Sequence, residues 1–228
     1  MHVVLIGHAD VPGGPRMELW QRGADWSIRV GGLELMHSRQ HASEDALATR
    51  ALALLPAGGP PKRCLIGGLG MGFTARAALD ALRPVDAVVV AELVPEVVAW
   101  CRGPLAGLAK DVLADPRVSV RVEDVGAVLD ADPAAWDAVM LDVDNGPEGI
   151  TRPANDALYS DRGLARIARA LRPGGVLTVW SVAPAPRFTA RLERQRWQVR
   201  EEVVRARAGG KGARHTLWIA RPPGDAEA

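Results

Sequence analysis

A short acidic run follows one of the apolar strands that the sequence predicts. The strand is predicted over 138–141, and the segment after it reads Asp142, Val143, Asp144, Asn145, Gly146, Pro147 and Glu148. Carboxylates on such a turn-forming sequence can hold a cationic amine or a sulfonium, or take a proton from a nucleophile. We therefore predict Asp142 and Asp144 as catalytic residues and Asn145 as a substrate-binding residue. A calcium loop is the rival interpretation, but its twelve-residue ligand pattern is absent.

Four glycines stand between an earlier apolar strand and the helix predicted after it. Gly67, Gly68, Gly70 and Gly72 would allow a tight turn and let a ligand approach the backbone closely. Glu92 ends the next predicted strand, where a carboxylate can accept hydrogen bonds from both hydroxyls of a ribose. We predict that these residues bind an adenosine-containing ligand. A purely structural turn is the alternative, and the glycine spacing fits the dinucleotide-binding pattern poorly.

Polar side chains also follow the third predicted strand and precede the first predicted helix. Asp124 can accept a hydrogen bond from an adenine amino group or cap the helix that follows it, and one residue can do both. Before the first helix, Arg39, His41 and Glu44 are candidates for lining a substrate pocket. Ser43 is explained by helix capping.

The elements that would position these residues follow from the hydrophobic patterning. From Arg63 onward, short buried strands alternate with helices, including helices over 161–171 and 188–196, which predicts a doubly wound, mostly parallel sheet. Only a glycine-rich loop separates the last two strands, so they should pair antiparallel and complete seven strands. That loop, which carries Lys211, is either a solvated hairpin tip or a basic lid over an anionic group.

The first 36 residues follow a different pattern. Alternation of apolar and polar residues over 17–22 and 26–30, broken by glycine-containing turns, predicts a small antiparallel meander. We therefore expect a β appendage over 1–42, a Rossmann-like α/β domain over 43–221 and a disordered tail over 222–228.

The composition is that of an ordinary globular protein. The chain has 228 residues, of which 48% are hydrophobic and 24% charged, and its formal net charge is +1. No apolar run approaches the roughly 18 residues of a membrane helix, so we expect no membrane partner. The nearly neutral net charge gives no sign of a nucleic-acid-binding surface, so we expect no nucleic-acid partner either. The opening residues lack the features of a secretory signal, which makes the cytoplasm the default location. Cys64 and Cys101 are expected to be buried, and no metal site is expected.

Taken in order, these segments resemble the spermidine synthase family, within the class I methyltransferase fold that uses S-adenosylmethionine. The resemblance runs from about residue 17 to residue 180. It is carried by the glycine loop 65–72, Glu92, the segment 115–124, Asp142, and the segments 158–160 and 171–176. It implies that Glu92 binds ribose, that Asp124 lies in the adenine-binding segment and that Asp142 is the catalytic aspartate. It further implies roles in substrate binding for Glu44 and Tyr159.

The resemblance also implies the ligands: S-adenosylmethionine or its decarboxylated form as donor, and a small-molecule acceptor. Relatives of this kind often dimerise, which makes a homodimer a candidate assembly. The family's glycine loop carries an aspartate that meets the aminopropyl amine, whereas this chain has Gly70 there. An uncharged loop would tolerate the carboxylate of intact S-adenosylmethionine. We therefore predict methyl transfer to a small molecule, with aminopropyl transfer to a polyamine and a non-catalytic donor-binding homologue as alternatives.

Overall fold

The computed structural model describes residues 2–143, 146–147 and 157–224. These residues form a four-stranded sheet, a seven-stranded sheet and helices that cover both faces of the larger sheet. No helix within these ranges is long and apolar enough to cross a membrane. The predicted disordered tail lies outside the described residues from position 225 onward.

The four-stranded sheet is built from the first 37 residues. Its strands, in chain order and in spatial order, are β1 (Val3–Ala9), β2 (Met17–Arg22), β3 (Asp25–Val30) and β4 (Leu33–His37). All neighbouring pairs are antiparallel, which confirms the predicted meander. The patterning did not predict β1, because Val3 to Ile6 form a continuous apolar run whose side chains stay 39–50% exposed, so the run has no buried alternation to detect.

The larger sheet confirms the predicted fold class. Its strands in chain order are β5 (Arg63–Gly67), β6 (Ala87–Ala91), β7 (Val118–Arg121), β8 (Trp136–Leu141), β9 (Leu171–Ser181), β10 (Gln198–Arg207) and β11 (Lys211–Arg221). Their spatial order is β10-β11-β9-β8-β5-β6-β7. The pairs among β5 to β9 are parallel, and β11 pairs antiparallel with both β9 and β10.

Two helices differ in their bounds from the helices predicted over 161–171 and 188–196. The described α-helices are α1 (Ala42–Ala53), α2 (Phe73–Ala81), α3 (Pro95–Arg102), α4 (Val125–Ala131), α5 (Asp161–Ala170) and α6 (Pro186–Arg194). Strand β9 begins directly after α5, because residues 173–175 form an irregularity inside the pairing with β8 rather than a separate turn. Helix α6 begins at Pro186, since proline suits the first turn of a helix.

The core lies in two layers, one on each face of the larger sheet. Buried side chains of α1, α2 and α3 cover one face, and the four-stranded sheet adds Leu19 and Ile28 to that layer. Buried side chains of α4, α5 and α6 cover the other face. Cys64 and Cys101 are buried and free, as predicted. The small sheet is thereby fixed beside the carboxyl ends of β5, β6 and β8, where the predicted site residues lie.

Candidate active site

The glycine loop connects β5 to α2 at the carboxyl end of the larger sheet. Gly68 donates its N–H to the carbonyl of Ala91 (2.9 Å), which fastens the loop to the end of β6. The φ of Gly68 is +87°, and a Cβ there would lie 2.2 Å from the backbone oxygen of Asp142. Only glycine therefore fits at position 68, where the loop meets the segment after β8.

Glu92 is buried at the end of β6 and faces this loop. Its Oε2 accepts a hydrogen bond from the N–H of Leu69 (2.9 Å), and its Oε1 accepts one from the N–H of Val94 (2.8 Å). Burial raises the pKa of Glu92, while these backbone hydrogen bonds favour the charged form. Each oxygen has a second lone pair that can accept a ligand hydroxyl. Glu92 can therefore hold both the loop and a ribose.

A pocket opens between the loop and the four-stranded sheet, and we call it the glycine-loop pocket. Its walls include Gly68, Gly70, Glu92, Asp124 and Asp142, and the apolar side chains Met17, Ile28, Val30, Leu35, Met36 and Val97. Asp124 also accepts a hydrogen bond from the N–H of Gly126 (2.7 Å), which caps α4. Its position is compatible with both predicted roles. Apolar walls with a few acceptors are the surroundings that a nucleoside requires.

The other two predicted glycines lie at the ends of the loop and outside this pocket. A Cβ on Gly67 would meet the side chains of Val125 and Leu141 at 3.0–3.1 Å. Gly72 has a φ of +85° and stands before α2, close to core side chains. In this structure both glycines allow close packing and turning of the chain. Their contact with a ligand stays a prediction.

A second pocket adjoins the first, and we call it the Glu44 pocket. It is lined by Glu34, Leu35, Met36, His37, Gln40, Glu44, Asp142, Trp180, Val182 and His215. Leu35, Met36 and Asp142 line both pockets. Asp142 therefore stands at the boundary, where a group bound in one pocket would meet a group bound in the other.

Asp142 is fixed at this boundary by contacts on two sides. Its N–H donates to the carbonyl of Gly67 (2.8 Å), and the hydroxyl of Thr74 donates to its Oδ2 (2.6 Å). Burial raises the pKa of Asp142 to about 6, and the hydrogen bond from Thr74 acts in the opposite direction. A carboxylate with this pKa is largely ionised at pH 7 and can hold a cation or accept a proton.

Glu44 lies in the first turn of α1 and is 7% exposed. Burial and, after it, the charge of Asp142 raise the pKa of Glu44 to about 8, while a hydrogen bond from Ser43 to Oε2 (2.6 Å) opposes the shift. A cationic group bound between the two carboxylates would offset their repulsion and favour their charged forms. The Glu44 pocket is therefore suited to an ammonium group.

Replacing Glu44 by Gln should change how stability depends on pH. Because the pKa of Glu44 is higher in the folded protein than in the unfolded chain, the folded state holds a proton that the unfolded chain has lost. The free energy of unfolding of the wild type therefore falls as the pH rises from about 4.5 to about 8. Glu44→Gln lacks this dependence, so its Tm relative to that of the wild type should rise between pH 5 and pH 8.5. Each kcal/mol of the change in the relative free energy of unfolding corresponds to about 2–4 °C in Tm.

Differential scanning calorimetry at the two pH values measures this effect. Glu193→Gln, an exposed substitution on α6, is the matched control and should leave the pH dependence of Tm as it is in the wild type. An equal Tm difference between Glu44→Gln and wild type at both pH values would contradict the assignment.

Three of the predicted substrate-binding residues line neither of the two pockets. Arg39 is exposed in the turn after β4, where its guanidinium pairs with Asp25. His41 stacks on Phe73 with ring centroids 4.2 Å apart and lines a different surface cleft. Tyr159 is 1% exposed and belongs to the core beside α5 and α6. Asp144 and Asn145 lie outside the described residues.

Four residues of the site escaped prediction as site residues: Thr74, Met36, Trp180 and His215. Thr74 opens the helix after the glycine loop, and a hydroxyl at that place was the signal that could have found it. Met36, Trp180 and His215 come from β4, β9 and β11. Their own neighbourhoods in the sequence are strand patterns that show only packing, so no local signal marked them. In the described ranges, no group of His, Cys, Asp and Glu side chains is arranged to hold a metal ion.

Comparison with known proteins places this site in a family. A family model described as the spermine/spermidine synthase domain matches residues 44–189. The chain belongs to the spermine/spermidine synthase family. The matched range contains the glycine loop, Glu44, Glu92, Asp124 and Asp142, whereas β4 and His215, which also line the pockets, lie outside it.

Curated relatives agree with this family. The chain is 37% identical over 123 residues to polyamine aminopropyltransferase 2 of Pseudomonas aeruginosa, and 31% identical over 177 residues to a polyamine aminopropyltransferase of Mycobacterium tuberculosis. These alignments cover 52% and 75% of this chain. They cover only 33% and 31% of the relatives, so the chain spans about a third of their length.

Solved structures of the family share the fold. The spermidine synthase of Thermotoga maritima superposes with a TM-score of 0.72 at 16% identity, over 95% of this chain and 72% of that one. A probable spermidine synthase from Corynebacterium glutamicum gives a TM-score of 0.66 at 20% identity, over 94% and 79% of the two chains. The chain is thus a spermidine synthase-like protein with the class I methyltransferase-like fold.

Proposed function

We propose that this chain transfers an aminopropyl group from decarboxylated S-adenosylmethionine to a small cationic amine. One observation carries the proposal: Glu44 and Asp142 place two interacting carboxylates in a pocket that opens directly onto the glycine-loop pocket. The ammonium of an acceptor would offset the repulsion between these two carboxylates. The aminopropyltransferase names of the relatives also support this reaction over the methyl transfer that the sequence pattern favoured.

The residues of the glycine-loop pocket fit the nucleoside half of such a donor. Glu92 has acceptor lone pairs for the ribose hydroxyls, and Asp124 stands where an adenine amino group can donate to it. Ile28 and Val97 offer apolar surface to the base. When bound, the donor supplies a sulfonium carbon that is already activated, so the protein contributes mainly alignment. Asp142 and Glu44 hold the acceptor amine against that carbon.

Methyl transfer is the second candidate, and Gly70 favours it. The loop offers no carboxylate at this position to a donor's aminopropyl ammonium, and the φ of Gly70 is +52°. The structure corrects one part of the argument, however. A Cβ at position 70 would lie 2.5 and 2.7 Å from Cε and Sδ of Met36, so the Met36 thioether fills the space that we expected to hold the methionine carboxylate.

Product analysis tests the proposed function. The protein is incubated with decarboxylated S-adenosylmethionine or with S-adenosylmethionine, each with diamines of three to five carbons, and the products are identified by mass spectrometry. Methylthioadenosine and an extended polyamine are the expected products. S-adenosylhomocysteine with a methylated acceptor would favour the second candidate. Donor binding by calorimetry without any product would favour a non-catalytic homologue.

Restoring a carboxylate to the loop should change the donor preference. The double variant Gly70→Asp/Met36→Ala places an acid in the loop and removes the side chain that would obstruct it. Attraction to the aminopropyl ammonium and repulsion of the methionine carboxylate should shift the ratio of the two donor Kd values toward the decarboxylated form, by at least about tenfold. Calorimetry with both donors measures the ratio.

The single variant Met36→Ala is the control for this experiment. It opens the same space without the charge, so it should alter both donor affinities by similar factors. A double variant whose donor ratio equals that of Met36→Ala would show that position 70 does not face the donor's charged end.

A further inference from the structure

A hydrogen-bonded chain of three buried side chains lies in the wall of the Glu44 pocket. Ser43 Oγ is 2.6 Å from Glu44 Oε2 and 2.8 Å from His215 Nδ1. Ser43, Glu44 and His215 are 0%, 7% and 9% exposed. Two of them begin α1, whereas His215 comes from β11, and the edge of its ring contacts Trp180 with centroids 4.7 Å apart. The predicted capping role of Ser43 is wrong, because the N-cap residue of α1 is His41 and Ser43 bonds to Glu44 and His215 instead. Burial of three polar side chains in one connected chain points to a function in the pocket.

A cationic amine bound beside Asp142 favours the ionised form of Glu44, and the hydrogen atoms of this chain then have a determined order. An ionised carboxylate only accepts, so the single hydroxyl proton of Ser43 is donated to Glu44. Ser43 Oγ must then accept the N–H of His215 Nδ1, which leaves Nε2 as the unprotonated nitrogen of the ring. Burial lowers the pKa of His215, so the ring is neutral at pH 7. Among the described residues Nε2 has no hydrogen-bond partner, and the ring lines the pocket.

We propose that His215 Nε2 accepts the proton of the attacking amine and that Ser43 relays a proton from His215 Nδ1 to Glu44. The relay rests on the proposed function, because an ammonium nitrogen must lose a proton before it can attack carbon. As the new N–C bond forms, the C–S bond of the sulfonium breaks and its electron pair stays on sulfur. Before this step the ammonium proton moves to Nε2, the Nδ1 proton moves to Ser43 and the Ser43 proton moves to Glu44, which frees the nitrogen lone pair that forms the N–C bond. The transfer needs no further reactant.

Other titratable groups face the same pocket and define the competing route. Asp142 follows β8, and Glu34 and His37 come from β4, whereas Asp45 adjoins Glu44 on α1 but lines a different cleft. Of these, Asp142 is the alternative proton acceptor, but its Oδ2 bonds to Thr74 and it takes no part in the Ser43 chain. In the relay mechanism, Asp142 holds the ammonium and the Ser43 chain removes its proton. Direct transfer to Asp142 would leave Ser43 without an effect on turnover.

The pH profile of Ser43 variants distinguishes these routes. Ser43→Ala should lower kcat by about 10–100-fold at pH 7 with little change in KM. The difference in kcat between Ser43→Ala and the wild type should become smaller as the pH approaches about 10, the pKa of a free amine, because the acceptor then binds already neutral. Ser43→Thr keeps the hydroxyl and should retain most of the activity. Thr49→Ala, an exposed hydroxyl deletion on the same helix, is the control and should behave as the wild type.

A loss in Ser43→Ala that is the same at every pH, or no loss, would overturn the relay while leaving the proposed function in place. Absence of turnover by the wild type with any amine would overturn both. A measurement without substrate completes the test: nitrogen-15 NMR of His215 at pH 9.5 should show the proton on Nδ1 in the wild type and on Nε2 in Ser43→Ala. The same tautomer in both proteins would overturn the relay.

Discussion

Asp142→Asn should lower kcat by about 10²–10⁴ while the Kd of the donor changes little. The substitution preserves the size of the side chain, and its amide oxygen can still accept the hydrogen bond from Thr74. It removes the charge that stands where the two pockets meet, which under the proposed function holds the acceptor ammonium against the reacting carbon. Single-turnover kinetics at saturating donor and acceptor, with donor binding by calorimetry, separate the two effects.

Two further variants serve as comparisons for Asp142→Asn. Asp161→Asn removes an exposed acid from the first turn of α5 and should leave turnover unchanged. Thr74→Val removes the hydrogen bond to Asp142 and should lower kcat by a smaller factor, because the charge remains but its position loosens. Full turnover in Asp142→Asn would reduce Asp142 to a structural residue of the turn after β8.

Glu92→Gln should weaken donor binding by at least about tenfold. Charge-assisted hydrogen bonds to the ribose hydroxyls contribute about 1.5–3 kcal/mol each, and a neutral amide makes weaker ones. The structure adds a second effect: the amide NH₂ would face the backbone N–H of Leu69 or Val94, both of which now donate to the carboxylate. We therefore expect a lower Tm as well, and calorimetric titration must be accompanied by thermal unfolding.

Cys101→Ala separates loop damage from the loss of ligand contacts. The Cys101 thiol donates to the carbonyl of Gly70 (3.2 Å), so the variant loosens the same loop without changing an acid of the pocket. Donor affinity in Cys101→Ala should stay close to that of the wild type. Equal losses in both variants would assign the effect of Glu92 to the loop, and unchanged affinity in a folded Glu92→Gln would remove the adenosyl group from this pocket.

The fold was predictable because the burial of a strand determines the pattern of apolar residues along it. Strands β5, β6 and β8 are covered on both faces, so they appear in the sequence as short uninterrupted apolar runs between helices. In strand β1 the run Val3 to Ile6 is exposed on both faces and therefore gave no periodic signal. The early start of β9 was also hidden, since Pro173 and two glycines normally end an element but here lie within a strand pair.

The site was predictable where one local segment carries both the turn and the functional group. Gly68, Glu92 and Asp142 each stand directly after a strand, and parallel strands bring their carboxyl ends to one edge. His215 and Met36 reach the site only through the packing of distant elements. Tyr159 was predicted as a substrate-binding residue, but its ring lies in the core. The residue type alone cannot distinguish a tyrosine of the core from a tyrosine of a pocket.

The contact between Gly68 and the backbone of Asp142 also constrains how this protein can evolve. Since a side chain at position 68 would displace the oxygen of Asp142, a change there would disturb the glycine loop and Asp142 in a single step, and with them both halves of the proposed function. Leu69 and Met71 are also restricted, because both are buried in the core. Under the proposed function, substitutions in the Glu44 pocket could change the acceptor without moving this loop, whereas substitutions in the loop would disturb both pockets at once.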